Sequence, residues 1–422
     1  MCHLKDSGIE WIGKIPANWQ RVKFNALYIN RNEKVSDKEY RPLSVTKKGI
    51  VPQLETAAKT NDNDNRKLVK VGDFVINSRS DRRGSCGISK LNGSVSLINT
   101  VLAPRNDQMV PRYYDWLFHT VAFSDEFYKW GHGIVDDLWT TNWNDMKNIT
   151  LILPTRSEQQ KIADFLDRKC MQIKKLMSNI SAEIELLENY RNSFIAKTVT
   201  KGLGSNVRLK DSNVAWMGKV PQSWEIEKLK YLVDNVDKGI SPQYSNENDY
   251  DVRIITQSSF SQGSLNDEGV RFAKGKMSKN SRGAIWRGDV LLATTGGGVL
   301  GKTYYYDENK LYFASADVAR IRPNSNKFLG KLIYYILSIN YELMNNTMSQ
   351  GSTNQIHLNM SLLRNMKFPC PDFGSQVRIV NYLDEKCSEI EHLIEQKKQQ
   401  IDIISHYKNS LIFDYVTGKR EI

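Results

Sequence analysis

The sequence has few cysteines and no long apolar run. Its five cysteines are scattered, and none forms a C-x-x-C pair. We therefore expect free thiols in a reducing cytoplasm rather than a disulfide framework or a structural zinc site. No apolar run reaches the about eighteen residues that a membrane span requires. The opening MCHLKDSG also lacks the apolar stretch of a secretory signal, so we expect a cytoplasmic chain without a membrane partner.

Several catalytic signatures are missing as well. There is no H-E-x-x-H zinc motif, no G-x-S-x-G nucleophile elbow, and no N-P-P-[YFW] or D-P-P-Y run of adenine methyltransferases. We therefore predict no catalytic residues, no metal and no cofactor. What the chain does have is positive charge, with 59 Lys and Arg against 47 Asp and Glu and a net charge of +12 over 422 residues. That excess favours a polyanionic partner.

The chain is a tandem duplication. The segment LKDSGIEWIGKIPANW at 4–19 returns as LKDSNVAWMGKVPQSW at 209–224, so that the spacing W-x-G-x-x-P-x-x-W occurs twice. A second block, PTRSEQQKIADFLDRKC and its continuation at 154–200, returns without gaps at 371–417. Between these blocks the halves diverge and share only fragments, such as GDFV at 72–75 and GDVL at 288–291. Each half of the chain therefore has the same two repeated segments, which enclose a different intervening sequence.

The second repeated block predicts a long helix. Residues 157–200 contain no Pro or Gly, and apolar residues recur at steps of four and three. The predicted seam is Leu166, Cys170, Ile173, Met177, Ile180, Ile184, Leu187, Arg191 and Phe194 in the first copy, and Leu383, Cys387, Ile390, Ile394, Lys397, Ile401, Ile404, Lys408 and Leu411 in the second. Each helix should be roughly 65 Å long. The two apolar stripes most simply cover each other, as an antiparallel coiled coil with one globular domain at each end.

The fold class that follows is α+β, because short apolar runs alternate with Gly, Asn and Ser turns in both diverged regions. We expect a pseudo-two-fold chain in four parts. They are a globular domain at 1–155, a helix at 156–205, a second globular domain at 206–370 and a second helix at 371–422.

Two motifs suggest enzymes, and both have a competing interpretation. Residues 296–303, GGGVLGKT, satisfy the phosphate-binding G-x-x-x-x-G-K-[ST] pattern, but YYYDEN follows where a P-loop needs a helix. Asp372 with Asp384 and Lys386 resembles the P-D…[DE]-x-K pattern of metal nucleases, but Asp384 and Lys386 lie on the predicted helix. A P-loop nucleotide-binding enzyme therefore remains an alternative, and nuclease chemistry is disfavoured.

Polar loops suggest DNA contacts more directly. Arginine can read guanine bidentately, lysine contacts phosphates, and glutamine and asparagine suit adenine. The candidates are Lys47, Lys48, Arg79, Arg82, Arg83 and His132 in the first domain, and Gln257, Lys302, Gln350, Ser352, Thr353, Asn354 and Gln355 in the second. Lys302 belongs to a Gly-rich basic loop that suits a nucleic-acid backbone. For each of these loops a solvated surface turn is the competing interpretation.

A few motifs, in a fixed order, carry a family resemblance. They are the W-x-G-x-x-P-x-x-W opening and its copy, GDVL at 288–291, the loop at 351–353, and PTRSEQQKI at 154–162 leading into the helix. On these residues the whole chain resembles the specificity subunit of a type I restriction–modification enzyme. The first domain departs from the pattern, with Gly131-His132-Gly133 in place of the Gly-Ser-Thr loop.

The resemblance implies a non-catalytic subunit. It would have two target-recognition domains, each reading one half of a bipartite, asymmetric site on double-stranded DNA. The long helices would act as spacers and as docking surface for two methyltransferase subunits, with motor-nuclease subunits joining the complex. Partner subunits would carry out adenine methylation and restriction. A coiled-coil scaffold that never contacts DNA is the remaining alternative.

Overall fold

The structure is a computed structural model that describes residues 3–55, 63–133, 139–246, 251–261, 263–275, 277–351 and 356–422. It consists of two compact units. Unit 1 combines the chain up to Ser181 with Lys398–Ile422, and unit 2 is Ala182–Lys397. Because the boundaries at Ser181 and Lys397 fall within the two long helices, each helix contributes to both units.

Unit 1 contains thirteen of the described strands and the first five helices. The strands are β1 (Leu4–Asp6), β2 (Lys14–Pro16), β3 (Gln20–Lys23), β4 (Tyr28–Asn30), β5 (Lys34–Val35), β6 (Leu43–Thr46), β7 (Gly49–Pro52), β8 (Arg66–Val69), β9 (Phe74–Asn77), β10 (Cys86–Ile88), β11 (Gly93–Val95), β12 (Asn99–Pro104) and β13 (Thr150–Leu153). The helices are α1 (Phe24–Leu27), α2 (Pro111–Phe118), α3 (Val121–Lys129), α4 (Trp143–Met146) and the long α5 (Arg156–Lys201), of which unit 1 includes the part up to Ser181.

The main sheet of unit 1 has the strand order β10-β9-β12-β4, and all its pairs are antiparallel. Aromatic rings fill the core beside it. Phe118 lies between Phe74 and Phe123, with ring centroids 4.3 and 4.6 Å away. These rings are fully buried, so aromatic packing anchors α2 and α3 on the sheet.

Unit 2 repeats this order of elements with additions. Its strands are β14 (Leu209–Asp211), β15 (Lys219–Pro221), β16 (Glu225–Lys228), β17 (Val233–Lys238), β18 (Tyr244–Ser245), β19 (Val252–Ile255), β20 (Val270–Ala273), β21 (Ala284–Ile285), β22 (Val290–Ala293), β23 (Thr303–Tyr305), β24 (Tyr312–Ala314), β25 (Val318–Pro323), β26 (Ser349–Gln350), β27 (His357–Leu358) and β28 (Lys367–Cys370). Its helices are α6 (Leu229–Leu232), α7 (Gly330–Ile339), α8 (Tyr341–Thr347), α9 (Met360–Asn365) and α10 (Phe373–Val416), the last continuing into unit 1.

The main sheet of unit 2 has the order β17-β25-β22-β23, which matches β4-β12-β9-β10 strand for strand. Two smaller pairs also correspond, β1–β2 with β14–β15 and β3–β13 with β16–β28. The register agrees too, since Phe74 of β9 pairs with Leu102 and the corresponding Val290 of β22 pairs with Ile321. The duplication inferred from sequence is therefore present in the fold.

The two units differ in what is added to this frame. Unit 1 carries a three-stranded sheet, β11-β8-β5, and the hairpin β6–β7. Unit 2 carries a five-stranded sheet, β18-β20-β19-β24-β21, in which β19 and β24 are parallel. The diverged sequence between the repeats thus forms different secondary sheets on the same main sheet.

The long helices pack antiparallel within each unit. In unit 1, Phe165 near the start of α5 lies 4.4 Å, between ring centroids, from Tyr415 near the end of α10. In unit 2, Phe194 near the end of α5 lies 5.5 Å from Tyr382 near the start of α10. Every predicted seam residue is buried or half-buried, whereas most other residues of the two helices are exposed. The α+β fold with two antiparallel long helices is confirmed.

A buried glutamine joins each globular part to its long helix. In unit 1 the amide of Gln159 accepts from the Val110 N–H at 2.7 Å and donates to the carbonyls of Gln108 and Pro154. In unit 2 Gln376 does the same with the Leu329 N–H, at 3.0 Å, and two carbonyls. The residue is buried in both units, so its amide supplies partners to backbone groups that water does not reach.

Some predicted elements differ from the structure in extent. The apolar run at 95–98 predicts a strand, but β11 ends at Val95. Residues 113–128 predict one helical patch, which in the structure divides into α2 and α3 around Thr120, whose side chain caps α3. The helices end at Lys201 and Val416, before the predicted 205 and 422. No helix among the described residues is long and apolar enough to cross a membrane.

Candidate nucleic-acid interface

The site begins where the corresponding strands β9 and β22 end. Ser78 follows β9, donates its N–H to the Ile98 carbonyl and accepts from the Thr141 N–H at 2.9 Å. Thr294 follows β22, donates to the Asp317 carbonyl and accepts from the Leu358 N–H at 2.8 Å. The backbone after each strand is therefore held in the same way.

The next residues form a small set of paired backbones that we call the platform. In unit 1, Arg79 pairs with Thr140, and Thr140 pairs in turn with His132. In unit 2, Thr295 pairs with His357, and His357 pairs with Gln350 across β26 and β27. The platform positions are thus Arg79, Thr140 and His132 in unit 1 and Thr295, His357 and Gln350 in unit 2.

A capped helix follows each platform and fixes its far side. Asn142 caps α4, accepting from the Asn144 N–H at 2.8 Å. Asn359 caps α9, accepting from the N–H groups of Ser361 and Leu362. The equivalent asparagines place the chain that leaves each platform in the same position.

The platform of unit 1 is cationic. Arg79 is half-buried, and the described part of the chain gives its guanidinium no hydrogen bond or ion pair. His132 is 78% exposed, with its Nε2 at 3.4 Å from a carboxylate oxygen of Asp145. An arginine fork and an imidazole on neighbouring backbones can both donate to an acceptor-rich partner.

The platform of unit 2 has a threonine where unit 1 has Arg79, and a carboxylate, Asp317, lies beside it. Thr295 is nearly buried, and its hydroxyl lies 2.7 Å from Oε1 of Gln257 and 3.1 Å from Oδ1 of Asp317. Gly296 has φ +92°, and a Cβ there would lie 3.0 Å from Nε2 of Gln257. Gly296 therefore leaves the space in which Gln257 is held beside the platform.

The remaining described contact candidates are not among the paired platform residues, although the Arg82 N–H donates to the Arg79 carbonyl at 3.2 Å. Lys47 and Lys48 form the exposed turn of the hairpin β6–β7. Arg82 makes a long ion pair with Asp81 at 3.6 Å, and Arg83 pairs with Asp125 at 3.2 Å.

Tyr128 gives Arg83 a second, structural contact. The Arg83 guanidinium lies 5.3 Å from the centre of the Tyr128 ring, and burial raises the pKa of that phenol. Ser352, Thr353, Asn354 and Gln355 fall outside the described residues.

The apparent P-loop is a turn between two strands. After residues 296–301 the chain enters β23, where a P-loop would begin a helix. The Lys302 amino group donates to the Ser261 carbonyl at 2.6 Å, so this lysine is already engaged within unit 2. The geometry gives no support to nucleotide binding.

The nuclease-like residues are engaged as well. Asp384 accepts from the Lys331 amino group at 2.6 Å and from the Tyr335 hydroxyl at 2.7 Å. Burial first, and the bond to Asp384 second, raise the pKa of Tyr335. Lys386 binds Glu389 on the same helix at 2.9 Å. Asp384 thus ties α7 to α10.

Unit 1 has the same arrangement around the equivalent Asp167. This carboxylate accepts from Arg112 at 2.6 Å and from the Trp116 indole at 2.9 Å. Hydrogen bonds to Asp164 and Asp167 raise the pKa of Arg112. A cation and an aromatic donor thus hold each globular part on its helix, with different residues in the two copies.

The sequence did not single out Thr140, His357 or Asp317 as site residues. Thr140 and His357 follow loops of different length and composition, and no local motif marks them. The available signal for Thr140 and His357 was their equal position, two residues before the helix-capping Asn142 and Asn359.

Comparison with known proteins agrees with these features. Residues 221–402 match the family model of the Type I restriction modification DNA specificity domain. The chain is 26% identical over 361 residues to the type I restriction enzyme MjaVIII specificity subunit of Methanocaldococcus jannaschii, covering 83% of this chain and 80% of the relative. It is 23% identical over 451 residues to the putative MjaX specificity subunit of the same organism, covering 97% and 95%.

Solved structures share the fold. A chain from a type I R-M system, studied for its complex assembly and conformational transition, superposes with a TM-score of 0.71 at 13% identity and covers 96% of this chain and 99% of that one. The HsdS subunit of Thermoanaerobacter tengcongensis has a TM-score of 0.50 at 15% identity and covers 96% and 98%. Residues 221–402 thus match the type I restriction–modification specificity domain, and most of the chain is similar to the specificity subunits of these enzymes.

Proposed function

We propose that the chain is the DNA-reading, non-catalytic subunit of a type I restriction–modification complex. Residues 1–155 and 206–370 would be its two target-recognition domains, and the helices at 156–205 and 371–422 its spacers. Each domain reads one half of a bipartite site on double-stranded DNA in the cytoplasm, and partner subunits methylate adenine and cleave. The observation that carries this proposal is one four-stranded frame, present twice, that bears different platforms.

The charge of the chain supports a DNA partner. A net charge of +12 attracts a polyanion, and lysines such as Lys47 and Lys48 are exposed on a hairpin turn. Phosphate contacts of this kind position a protein without reading sequence, which leaves the reading of bases to other side chains. The enzyme-like motifs support a non-catalytic role, because Lys302 and Asp384 are engaged in structural hydrogen bonds.

The long helices carry features that suit two identical partners. Leu186 and Tyr190 form an exposed pair one turn apart on α5, with 67% and 59% of their surfaces accessible. Ile403 and Tyr407 form the equivalent pair on α10, with 68% and 53% accessible. Two equivalent apolar pairs fit two copies of a methyltransferase subunit, and motor-nuclease subunits would join that assembly.

Leu186→Asp and Ile403→Asp together should prevent co-purification of the methyltransferase subunit, while Glu185→Asp should not.

Methylation-site sequencing tests the proposed function. Cells that contain the partner subunits should methylate a bipartite motif only when this chain is present. Replacing residues 1–155 with another first recognition domain should change one half of that motif and leave the other half unchanged. A change in both halves would contradict the modular arrangement, and methylation that is independent of the chain would contradict the function.

A salt titration separates this function from a scaffold that never contacts DNA. Affinity of the assembled complex for its site should fall steeply between about 50 and 200 mM salt, because phosphate contacts release counterions. An assembled complex without DNA affinity at any salt concentration would identify the chain as a scaffold.

A further inference from the structure

The platforms of the two units share their backbone pairings and differ in their side chains. The backbone bonds around Ser78 and Thr294 are the same, as are the strand order and the asparagine caps that follow. At the three platform positions, however, Arg79 corresponds to Thr295, Thr140 to His357, and His132 to Gln350. The two copies thus share the backbone that holds the platform and differ in three neighbouring side chains. The side chains that could contact a ligand therefore vary while the structure that supports them stays the same.

The side chains of the platform are placed for contact with a partner. Thr140, His132, His357 and Gln350 are all exposed. Arg79 is half-buried, and its guanidinium makes no hydrogen bond or ion pair among the described residues. An exposed group of donors and acceptors on paired backbones is stiffer than the same residues on a single loop, which favours selective hydrogen bonding.

Gln257 extends the platform of unit 2. The Thr295 hydroxyl lies 2.7 Å from Oε1 of Gln257 and 3.1 Å from Oδ1 of Asp317, and it donates its one proton to the nearer acceptor, Oε1 of Gln257. Gly296 lies against the other side of this amide group, since a Cβ at position 296 would be 3.0 Å from Nε2 of Gln257. Gln257 is therefore oriented by the protein before any ligand arrives.

We propose that the platforms are the specificity-determining sites of the two units. This inference rests on the proposed function and names the residues that read bases. Arg79 reads guanine in the half-site of unit 1, with Thr140 and His132 beside it. In unit 2, Gln257 and Gln350 read adenine beside His357. The assignment follows from chemistry, because an arginine fork matches O6 and N7 of guanine and a glutamine amide matches N6 and N7 of adenine.

The test uses the full chain with its partner subunits in cells, and methylation-site sequencing as the readout. Arg79→Lys keeps the charge and removes the planar fork, so discrimination at one base position should fall roughly 10- to 100-fold. The change should be confined to one half of the motif. Gln350→Ala should relax one position in the opposite half.

Matched controls lie in the same units but outside the platforms. Arg105→Lys repeats the arginine-to-lysine change at an exposed residue whose Nε donates to the Asn25 carbonyl. Gln222→Ala repeats the glutamine-to-alanine change at an exposed residue of unit 2. Both should leave the motif as it is in the unsubstituted chain.

The outcomes distinguish the inference from the proposed function. If Arg79→Lys and Gln350→Ala leave the motif unchanged, or if either alters both halves, the inference is overturned while the proposed function stands. If the unsubstituted chain directs no motif, the proposed function itself fails. If a platform variant abolishes methylation, competition binding of its assembled complex to single-base variants of the site decides. An unaltered ranking of those variants overturns the inference, and an altered ranking supports it.

Discussion

Gln159 shows how one buried side chain can fix a junction between a globular part and a helix. Its amide satisfies a backbone N–H and two backbone carbonyls that no secondary structure pairs. Buried polar backbone groups are costly when unpaired, so an apolar residue of similar size would not replace it. The same amide geometry recurs at Gln376.

Gln159→Ala should therefore destabilise unit 1. Three backbone groups lose their partner at about 1–3 kcal/mol each, so the free energy of unfolding should fall by about 3 kcal/mol or more. Urea unfolding with a hydrogen-exchange readout of residues near Val110 measures the loss. The neighbouring Gln160→Ala removes one half-buried bond to Asp164 and should cost less than about 1 kcal/mol. Equal losses in the free energy of unfolding for the two variants would contradict a stabilising role that is particular to the buried Gln159 amide.

Elements are joined differently in the two units although their order is the same. The carboxylates of Asp167 and Asp384 occupy equivalent positions, but one receives Arg112 and Trp116 and the other Lys331 and Tyr335. Each pair consists of a cation and an aromatic donor one turn apart on α2 or α7. The attachment of helix to helix has been kept while its residues have changed.

Asp384→Ala should loosen α7 from α10. Lys331 and Asp384 are about one-third exposed, so solvent weakens the ion pair, and the loss of both bonds should cost about 1–2 kcal/mol. Hydrogen exchange of α7 should rise while that of the β17-β25-β22-β23 sheet stays slow. Glu385→Ala, at the exposed neighbouring residue, is the control and should leave α7 protected. A slow α7 in Asp384→Ala would contradict a role for this carboxylate in holding the helix.

The elements that local sequence determines could be predicted. The seam of the long helices follows from steps of three and four, and strands such as β22 follow from apolar runs between turn residues. Pairings between distant residues could not be predicted. Arg79 and Thr140 are far apart in sequence, and only the fold brings them together with His132.

Two further side chains show that a sequence motif does not reveal which residues a side chain contacts. Lys302 and Asp384 matched enzyme motifs because a motif records spacing and not the partner of each side chain, and those partners, Ser261 and Lys331, come from other elements. Arg79, His132, Gln257 and Gln350 were all selected from sequence as DNA contacts, and the structure places them on or beside the platforms. Their contact with DNA remains a prediction.

On the scale of the whole molecule, unit 1 is built from two separate stretches of chain, whereas unit 2 is one continuous stretch. Unit 1 requires Lys398–Ile422, whose Ile412 and Val416 belong to the buried core around Phe24 and Phe118. The Tyr113 hydroxyl also donates to the Val416 carbonyl at 2.7 Å. The end of α10 is therefore part of the core of unit 1.

Ending the chain after Lys397 should unfold unit 1 and spare unit 2. The truncated chain exposes the apolar surface that Ile412 and Val416 cover and leaves the Tyr113 hydroxyl without its partner. Limited proteolysis should cut rapidly before Ser181 and slowly between Ala182 and Lys397. Removing only Glu421 and Ile422, which are exposed, is the control and should change neither rate. Equal protection of both units after the longer truncation would show that unit 1 is complete without α10.

The discontinuity of unit 1 also affects how the protein is made. A ribosome that has synthesised Ser181 must add the whole of Ala182–Lys397 before the strip of α10 that completes the first core emerges. At about 5–20 residues per second, that interval lasts roughly 10 to 40 s. During this time the nascent first unit keeps an uncovered apolar groove, whereas unit 2 can close as soon as its own last turn leaves the exit tunnel. The newly made chain should therefore depend on a chaperone at the tunnel mouth for its earlier half and not for its later one.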